Sequence, residues 1–498
     1  MFEAISTISE LLSLTSGYYD EKPVFSYIKA GKMFSVSYSD FAKQVQAAAK
    51  SLILKGITNS KISIVSENSY YCIVWAYAVP LSGNVLIMLD NLTTIQDKAY
   101  VVSHSDTTCL IYSSSNQPFC DYVMENNPCV THTICIERDT EACLKSEPEV
   151  TLPDTDGKEL SYIFYTSGTT GRPKGVMHSQ INLLRNALYF SYSLKVKDKI
   201  FLMLPFNHIF PFANVVLASL YSGVNIFISA GLKHLWSEMR EVRPYCIFAV
   251  PAVLSYFDKT VHTAAQEFMK ENSNMENLSA RKKAMIQLFG ENIKLFPTGG
   301  APLNLDVAKS LRELGMLVIN GYGLTETCGS ITVSTNGDNR PGSVGRINFN
   351  SEGKVIEGEL AFKSPYIFNG YYKDLEATEH VFDGEWFLTG DLGTIIDNYV
   401  FITGRKKNLI VLPNGKNISP EELEMELLKI KEIKEVVVCE QSGKLTAKVY
   451  SEQDENLIRK KINELNKSLS SYKQIENVVF YAEEFPKTAS KKIKRGEI

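Results

Sequence analysis

Residues 165–175 read YTSGTTGRPKG. Four Ser/Thr residues, three glycines and Lys174 crowd into this stretch, a composition suited to a loop. An apolar run, Tyr162-Ile163-Phe164, precedes it, and a helix-like pattern begins near Gln180. Glycines let backbone N–H groups approach a polyanion closely, while hydroxyls and an ammonium add donors and positive charge. The loop therefore reads as a grip for nucleotide phosphates. It is not a Walker loop, because Pro173 stands five residues after Gly168, where that motif needs Gly followed by Lys-Ser/Thr. A flexible surface linker is the alternative, and the position directly after a buried strand argues against it.

Outward from this loop, apolar runs alternate with amphipathic stretches. Strands are expected at 61–65, 85–89, 108–112, 162–165, 199–204, 225–229, 246–250, 294–297 and 316–320, with helices between them such as 38–55 and 303–314. This alternation predicts an α/β fold with mainly parallel sheets. From about Gly342 shorter strands and Gly-rich turns suggest a barrel-like β region. After Arg405 a small α+β unit is expected, with helices at 420–429 and 455–469 and strands at 436–439 and 445–449.

The chain has 498 residues, too many for one core, so several domains are expected. A net charge of −4 gives no basic field for nucleic acid. Nine cysteines without a CxxC pair favour a reducing cytoplasm over a disulfide framework. Cys129, His132 and Cys135 have ligand-like spacing but lack a fourth partner, so ordinary thiols are the expectation. The acidic, amphipathic N-terminus does not read as a signal peptide. The uncharged stretch 72–89 is interrupted by Pro80, Ser82, Gly83 and Asn84, and reads as a buried helix, a turn and a strand, not as a membrane span.

Further motifs follow in order: TGGAP at 298–302, NGYGLTET at 320–327, RPGSVGR at 340–346, GYY at 370–372, WFLTGD at 386–391, GRKKN at 404–408, NGKNISPEE at 414–422 and PKTASKK at 486–492. Together with the phosphate loop they resemble the acyl-activating, AMP-forming adenylate superfamily, which includes acyl-CoA synthetases, adenylation domains and luciferase. The resemblance covers nearly the whole chain, and the 414–422 segment looks most like fatty-acyl-CoA synthetases. It implies two αβ subdomains and a β-barrel-like subdomain in a large N-terminal domain at 1–403, a hinge at 404–408, and a small mobile C-terminal domain at 409–498. It also implies a two-step reaction: a carboxylate attacks the α-phosphate of ATP to give an acyl-adenylate and pyrophosphate, and a thiol then displaces AMP. The acceptor would be CoA, or alternatively the phosphopantetheine of an acyl carrier protein. A luciferase-like oxygenase and a non-catalytic nucleotide binder are less favoured. A homodimer is compatible with the resemblance.

The resemblance also implies residue roles. Thr166, Ser167, Gly168, Thr169, Thr170, Gly171 and Lys174 would hold the departing β- and γ-phosphates. Glu326 would be the Mg2+ ligand, as a hard cation bridging phosphates needs oxygen donors. Thr325 would bind the α-phosphate. Tyr322 would offer a face to adenine, Gly299, Gly300 and Ala301 would leave room for the purine, and Asn320 and Gly321 would hold its edge. Asp391 would accept both ribose hydroxyls, with Arg405 beside it. Lys407 falls at the hinge, and Lys492 would be the adenylation lysine; Lys491 stands where many relatives have Gly. Gly415 would line the pantetheine path. His208 would gate the substrate carboxylate. Asn207 follows Phe206 where amino-acid-activating relatives carry Asp, which argues against an α-amino acid. Acyl-pocket residues are expected from 207–211, 248–251 and 328–330.

Overall fold

A computed structural model describes residues 5–145, 149–166, 172–335, 340–411, 417–441, 443–487 and 493–498. The chain forms two compact units. The first comprises Met1–Glu352 with Ser364–Val381, and the second comprises Gly353–Lys363 with Phe382–Ile498. The expected hinge segment, 404–408, therefore lies inside the second unit.

The first unit holds two sheets. In one, the strand order is His132–Cys135, Cys109–Tyr112, Lys61–Val65, Val85–Met88, Leu160–Thr166 and Lys174–Ser179. All neighbours are parallel except the last pair, which is antiparallel. The other sheet runs, in order, Leu317–Tyr322, Leu295–Thr298, Cys246–Ile247, Ile200–Leu202, Ile226–Ile228 and Pro23–Lys29, all parallel. Antiparallel strands flank it: Lys32–Ser37 at one end, Thr332–Val333 and Arg346–Ile347 at the other. Strands such as Lys61–Val65 and Cys109–Tyr112 are almost entirely buried, as expected for parallel strands covered on both faces. This is why they stand out in the sequence as short apolar runs.

Helices start where the sequence supplies caps. Ser37 accepts from Asp40 N before the helix Tyr38–Leu54, and Ser179 accepts from Asn182 N before Gln180–Leu194. The uncharged stretch near residue 80 becomes the buried helix Tyr70–Leu81 followed by the strand Val85–Met88. Among the described residues, no helix is long and apolar enough to cross a membrane. Between Ile209–Pro211 and Ala218–Ser222 the chain widens into a π-helical turn, Phe212–Leu217, a local irregularity often found at functional sites.

The second unit contains the antiparallel strands Glu359–Lys363, Trp386–Ile396 and Tyr399–Arg405. Its C-terminal part has Glu435–Gln441 antiparallel to Lys444–Tyr450, with Asn477–Tyr481 added in parallel. The helices Pro420–Leu427 and Glu455–Asn466 supply Leu423, Leu427, Ile458 and Ile462 to the core against Val436, Val438, Ala447 and Val449.

Candidate active site

Thr166 ends the strand Leu160–Thr166 and lies opposite Lys174 in the antiparallel ladder. The two flanks of the predicted phosphate loop are thus paired strands, and the strand Lys174–Ser179 precedes the helix at Gln180. The sequence pattern places the helix near Gln180, where it begins, but marks no strand between loop and helix. The strand is hidden there because it carries Lys174, His178 and Ser179 and sits at a sheet edge. Ser167, Gly168, Thr169, Thr170 and Gly171 lie outside the described residues. Gly175 is required by close packing, since a Cβ there would fall 2.9 Å from Ile163 Cγ2 and 3.1 Å from Tyr165 Cζ.

A second segment fixes what Lys174 faces. Residues 369–372 run along the Lys174–Ser179 strand: Tyr372 N donates to Gly175 O at 2.7 Å, Asn369 N to Met177 O at 2.8 Å, and Met177 N to Gly370 O at 3.0 Å. Tyr371 is thereby placed beside Lys174, whose Nζ lies 5.0 Å from the ring centroid. Asp374 Oδ2 is 3.6 Å from the same Nζ, while its Oδ1 caps the helix Leu375–His380 by accepting from Ala377 N.

Glu326 reaches this cluster from the other sheet of the unit. It sits in the tight turn Thr325–Thr327 beyond the C-terminal end of the strand Leu317–Tyr322. Ligands commonly bind at the carboxyl ends of such parallel strands. Tyr371 Oη donates to Glu326 Oε1 at 2.7 Å, and Phe368 N donates to Glu326 O at 2.8 Å. Lys174 and Glu326 therefore meet at one tyrosine. Tyr371 and Asp374 were missed as site residues. The GYY motif marked Tyr371, but nothing local in the sequence showed which distant groups it joins.

The residues expected to bind the purine also come together. Thr298 and Asn320 are partners in the parallel ladder. A Cβ on Gly299 would lie 2.8 Å from Gly321 O, so main chain meets main chain there. Gly300 adopts φ +79°, the left-handed region glycine tolerates. Ala301 follows it, and Tyr322 is buried at the strand end. Asn320 Nδ2 donates to Ser343 O at 3.2 Å. Its Oδ1, Thr298 Oγ1 and Ser334 Oγ are buried without a partner among the described residues. Buried polar atoms are normally paired, so this set suits a ligand rich in donors and acceptors.

The three segments expected to form the acyl pocket also converge. A side chain at Gly329 would come within 3.3 Å of Ile209 O, Phe210 Cα and Asn214 Nδ2. The Phe210 ring lies 6.1 Å from that of Phe248, which in turn lies 6.0 Å from Phe190. His208 Nε2 is 3.9 Å from Asp90 Oδ2. Asn214, on the π-helical turn, is buried with neither amide atom paired among the described residues. It too was not anticipated, because a lone Asn in an apolar helix gives no signal of its own.

Nearby, burial drives the pKa of His178 down to about 3, so its imidazole stays neutral at ordinary pH. Burial pushes the Cys72 and Cys109 thiols up to about 12, which makes them inert. Cys129 is exposed while Cys135 is buried, and among the described residues no cluster of three His, Cys, Asp or Glu is arranged to hold a metal.

In the second unit, Asp391 and Arg405 are directly opposed on adjacent strands. Arg405 Nε donates to Asp391 Oδ1 at 2.5 Å, and the carboxylate is almost fully buried. The buried Glu359 accepts from Gly390 N and Lys406 Nζ, both at 2.7 Å, which fixes the strand Trp386–Ile396 just before Asp391. Burial, reinforced by the Arg405 charge, lowers the pKa of Lys407. Gly415 and Lys492 lie outside the described residues. The flanks of Lys492 are ordered: Lys487 bridges Ile493, and Lys494 N donates to Pro486 O at 2.8 Å.

Residues 16–372 match the family described as AMP-binding enzyme, and the chain belongs to that family. The long-chain-fatty-acid–CoA ligase FadD15 of Mycobacterium bovis is 27% identical over 455 residues, covering 81% of this chain and 75% of the relative. The solved structure of the anthranilate CoA ligase AuaEII in complex with anthranoyl-AMP has a TM-score of 0.83 at 19% identity, over 99% of this chain and 96% of that one. The o-succinylbenzoate coenzyme A synthetase of Bacillus subtilis, solved with ATP and magnesium ion, has a TM-score of 0.79 at 22% identity, over 98% of each chain. The shared fold is mixed α/β, with a large N-terminal and a smaller C-terminal domain, as the sequence predicted.

Proposed function

We propose that this enzyme activates a carboxylic acid with ATP and transfers the acyl group to the thiol of CoA. One observation carries the reading: Lys174 and Glu326, far apart in sequence, converge on Tyr371. A polyphosphate needs a cation on one side and a metal-binding carboxylate on the other, and this arrangement offers both. Magnesium fits here, since it needs few protein oxygens and keeps water and phosphate in its remaining positions. Glu326 would hold it, and bound there it would neutralise charge on phosphate oxygens.

In the first step a carboxylate oxygen bonds to the α-phosphorus, and the bond to the bridging oxygen breaks. Pyrophosphate leaves with that electron pair, and Lys174 would stabilise its charge. Thr166 and residues 167–171 would add donors to the same phosphates. Asn320 Oδ1 and Thr298 Oγ1 would gain partners in the base, with the backbone at 299–301 and 321 as its wall and Tyr322 and Thr325 adjoining. His208 would face the acid carboxylate. In the second unit the resemblance assigns the ribose to Asp391 and Arg405, hinge motion to Lys407, the adenylation charge to Lys492 and the pantetheine path to Gly415. In the second step the CoA sulfur bonds to the acyl carbon, AMP departs and the thiol proton goes to solvent. The aromatic lining from Phe190, Phe210 and Phe248 supports a fatty or aryl acid. The first relative's fatty-acid specificity and the anthranilate ligase fold point the same way.

The test is acid-dependent ATP–pyrophosphate exchange over fatty, aryl and amino acids, followed by CoA-dependent thioester formation. Exchange with fatty or aryl acids is expected. Absence of exchange with every acid would overturn the reading, and thioester formation only on a carrier protein would replace CoA as acceptor.

A further inference from the structure

We propose that Tyr371 is a positioning residue, which orients the Glu326 carboxylate for metal binding and sets the direction of the Lys174 ammonium. The inference rests on the reading of Glu326 as the magnesium ligand and extends it to a residue outside that assignment. Tyr371 Oη donates to Glu326 Oε1 at 2.7 Å. Oε2 has no hydrogen-bond partner among the described residues, so one oxygen is held while the other is left to bind a cation. An O–H donor suits this role because it fixes the carboxylate without neutralising it. A lysine or arginine in its place would compete with the metal for the same charge. The ring has a second role, because its face lies 5.0 Å from Lys174 Nζ, within the range of cation–π attraction.

Tyr371 is itself held from several sides. Its neighbours Gly370 and Tyr372 are hydrogen-bonded to the Lys174–Ser179 strand. Its own N donates to Thr378 Oγ1 at 2.9 Å. The Phe368 ring packs edge-on against it at 4.9 Å. Phe368 N also donates to the Glu326 carbonyl, so one short segment clamps Glu326 by backbone and by side chain. A residue needed only for packing at this position would not require the hydroxyl.

The experiment titrates Mn2+ into the full chain with α,β-methylene-ATP, following free Mn2+ by EPR, so the readout does not depend on turnover. Tyr371→Phe is expected to raise the Mn2+ midpoint about tenfold, in the range seen when a partner of a metal ligand is removed. The KM for the acid should stay unchanged. Glu326→Gln should raise the midpoint further, and adding Tyr371→Phe to it should change nothing more. An unchanged midpoint in Glu326→Gln would sink the magnesium assignment itself. A raised midpoint in Glu326→Gln with an unchanged one in Tyr371→Phe, or additive effects in the double variant, would overturn the role of Tyr371 alone. If Tyr371→Phe does not fold, 3-fluorotyrosine placed at position 371 answers the same question. Its 19F signal should broaden when Mn2+ binds with the analogue, and a sharp signal would overturn the proposal.

Discussion

The two units handle charge in opposite ways. In the first, Lys174 and Glu326 do not pair with each other. A neutral tyrosine stands between them, and Lys174 approaches Asp374 at 3.6 Å. In the second, Asp391 and Arg405 form a closed ion pair across adjacent strands, with the carboxylate almost fully buried. The first arrangement leaves its charges ready for a ligand at little cost to the fold. The second ties a candidate ligand-binding carboxylate into the fold, so removing Arg405 takes away a charge that offsets its burial. Charge removal should therefore be read in catalysis in one unit and in stability in the other.

The sharpest way to break this contrast is Glu326→Gln. It is expected to lower ATP–pyrophosphate exchange by about 100-fold or more, the size of losing a group that stabilises developing charge, with little change in the urea midpoint. Large destabilisation instead would place Glu326 with the structural pairs. Arg405→Ala comes next. It should cost about 2 kcal/mol or more in urea unfolding, because the buried Asp391 carboxylate loses the guanidinium paired with it; unchanged stability would mean that the pair is not closed in solution. Lys174→Ala should raise the KM for ATP about tenfold, the order expected for one charge-assisted contact, and leave the melting temperature nearly unmoved.

The smallest expected effect is pH-dependent. Burial raises the Glu424 carboxyl from its ordinary 4.5 to about 7, despite the opposing Arg495 guanidinium. The folded state then binds more protons than the unfolded state between these two values. Stability should fall as pH rises from about 4.5 to about 7, and stay lower above that. Glu424→Gln should flatten this slope in thermal melts recorded across the range. A wild-type protein whose midpoint does not fall over that window would show that Arg495 keeps Glu424 ionised.

Much of the fold was legible because buried parallel strands are short apolar runs. The expected strand at 61–65 is Lys61–Val65, and the expected helix at 38–55 is Tyr38–Leu54. Polar edge strands were not legible: Lys32–Ser37 is largely exposed, and Lys174–Ser179 interrupts its apolar pattern with Lys174 and His178. The division into units was also invisible locally, since Gly353–Lys363 joins the second unit by pairing with Trp386–Ile396, a partner it meets only in the fold. The site divides along the same line. Lys174, Glu326 and Asp391 stand in recognisable motifs. Tyr371 stands in a motif that names no partner, Asp374 and Asn214 stand in none, and all three acquire meaning only from surroundings that leave no mark on local composition.

The approach of Gly299 to the Gly321 carbonyl has an evolutionary consequence. A surface built from bare main chain offers no side chain whose replacement could tune it, and any Cβ at Gly299 would collide at 2.8 Å. That part of the enzyme is closed to gradual variation. On the proposed function, divergence in the accepted acid would instead accumulate at positions with a side chain to exchange, such as Asn214, Phe210 and Phe248. In that reading one molecule joins a nucleotide wall that resists drift to an acid pocket that can drift, so new acids would be explored while the nucleotide stays the same.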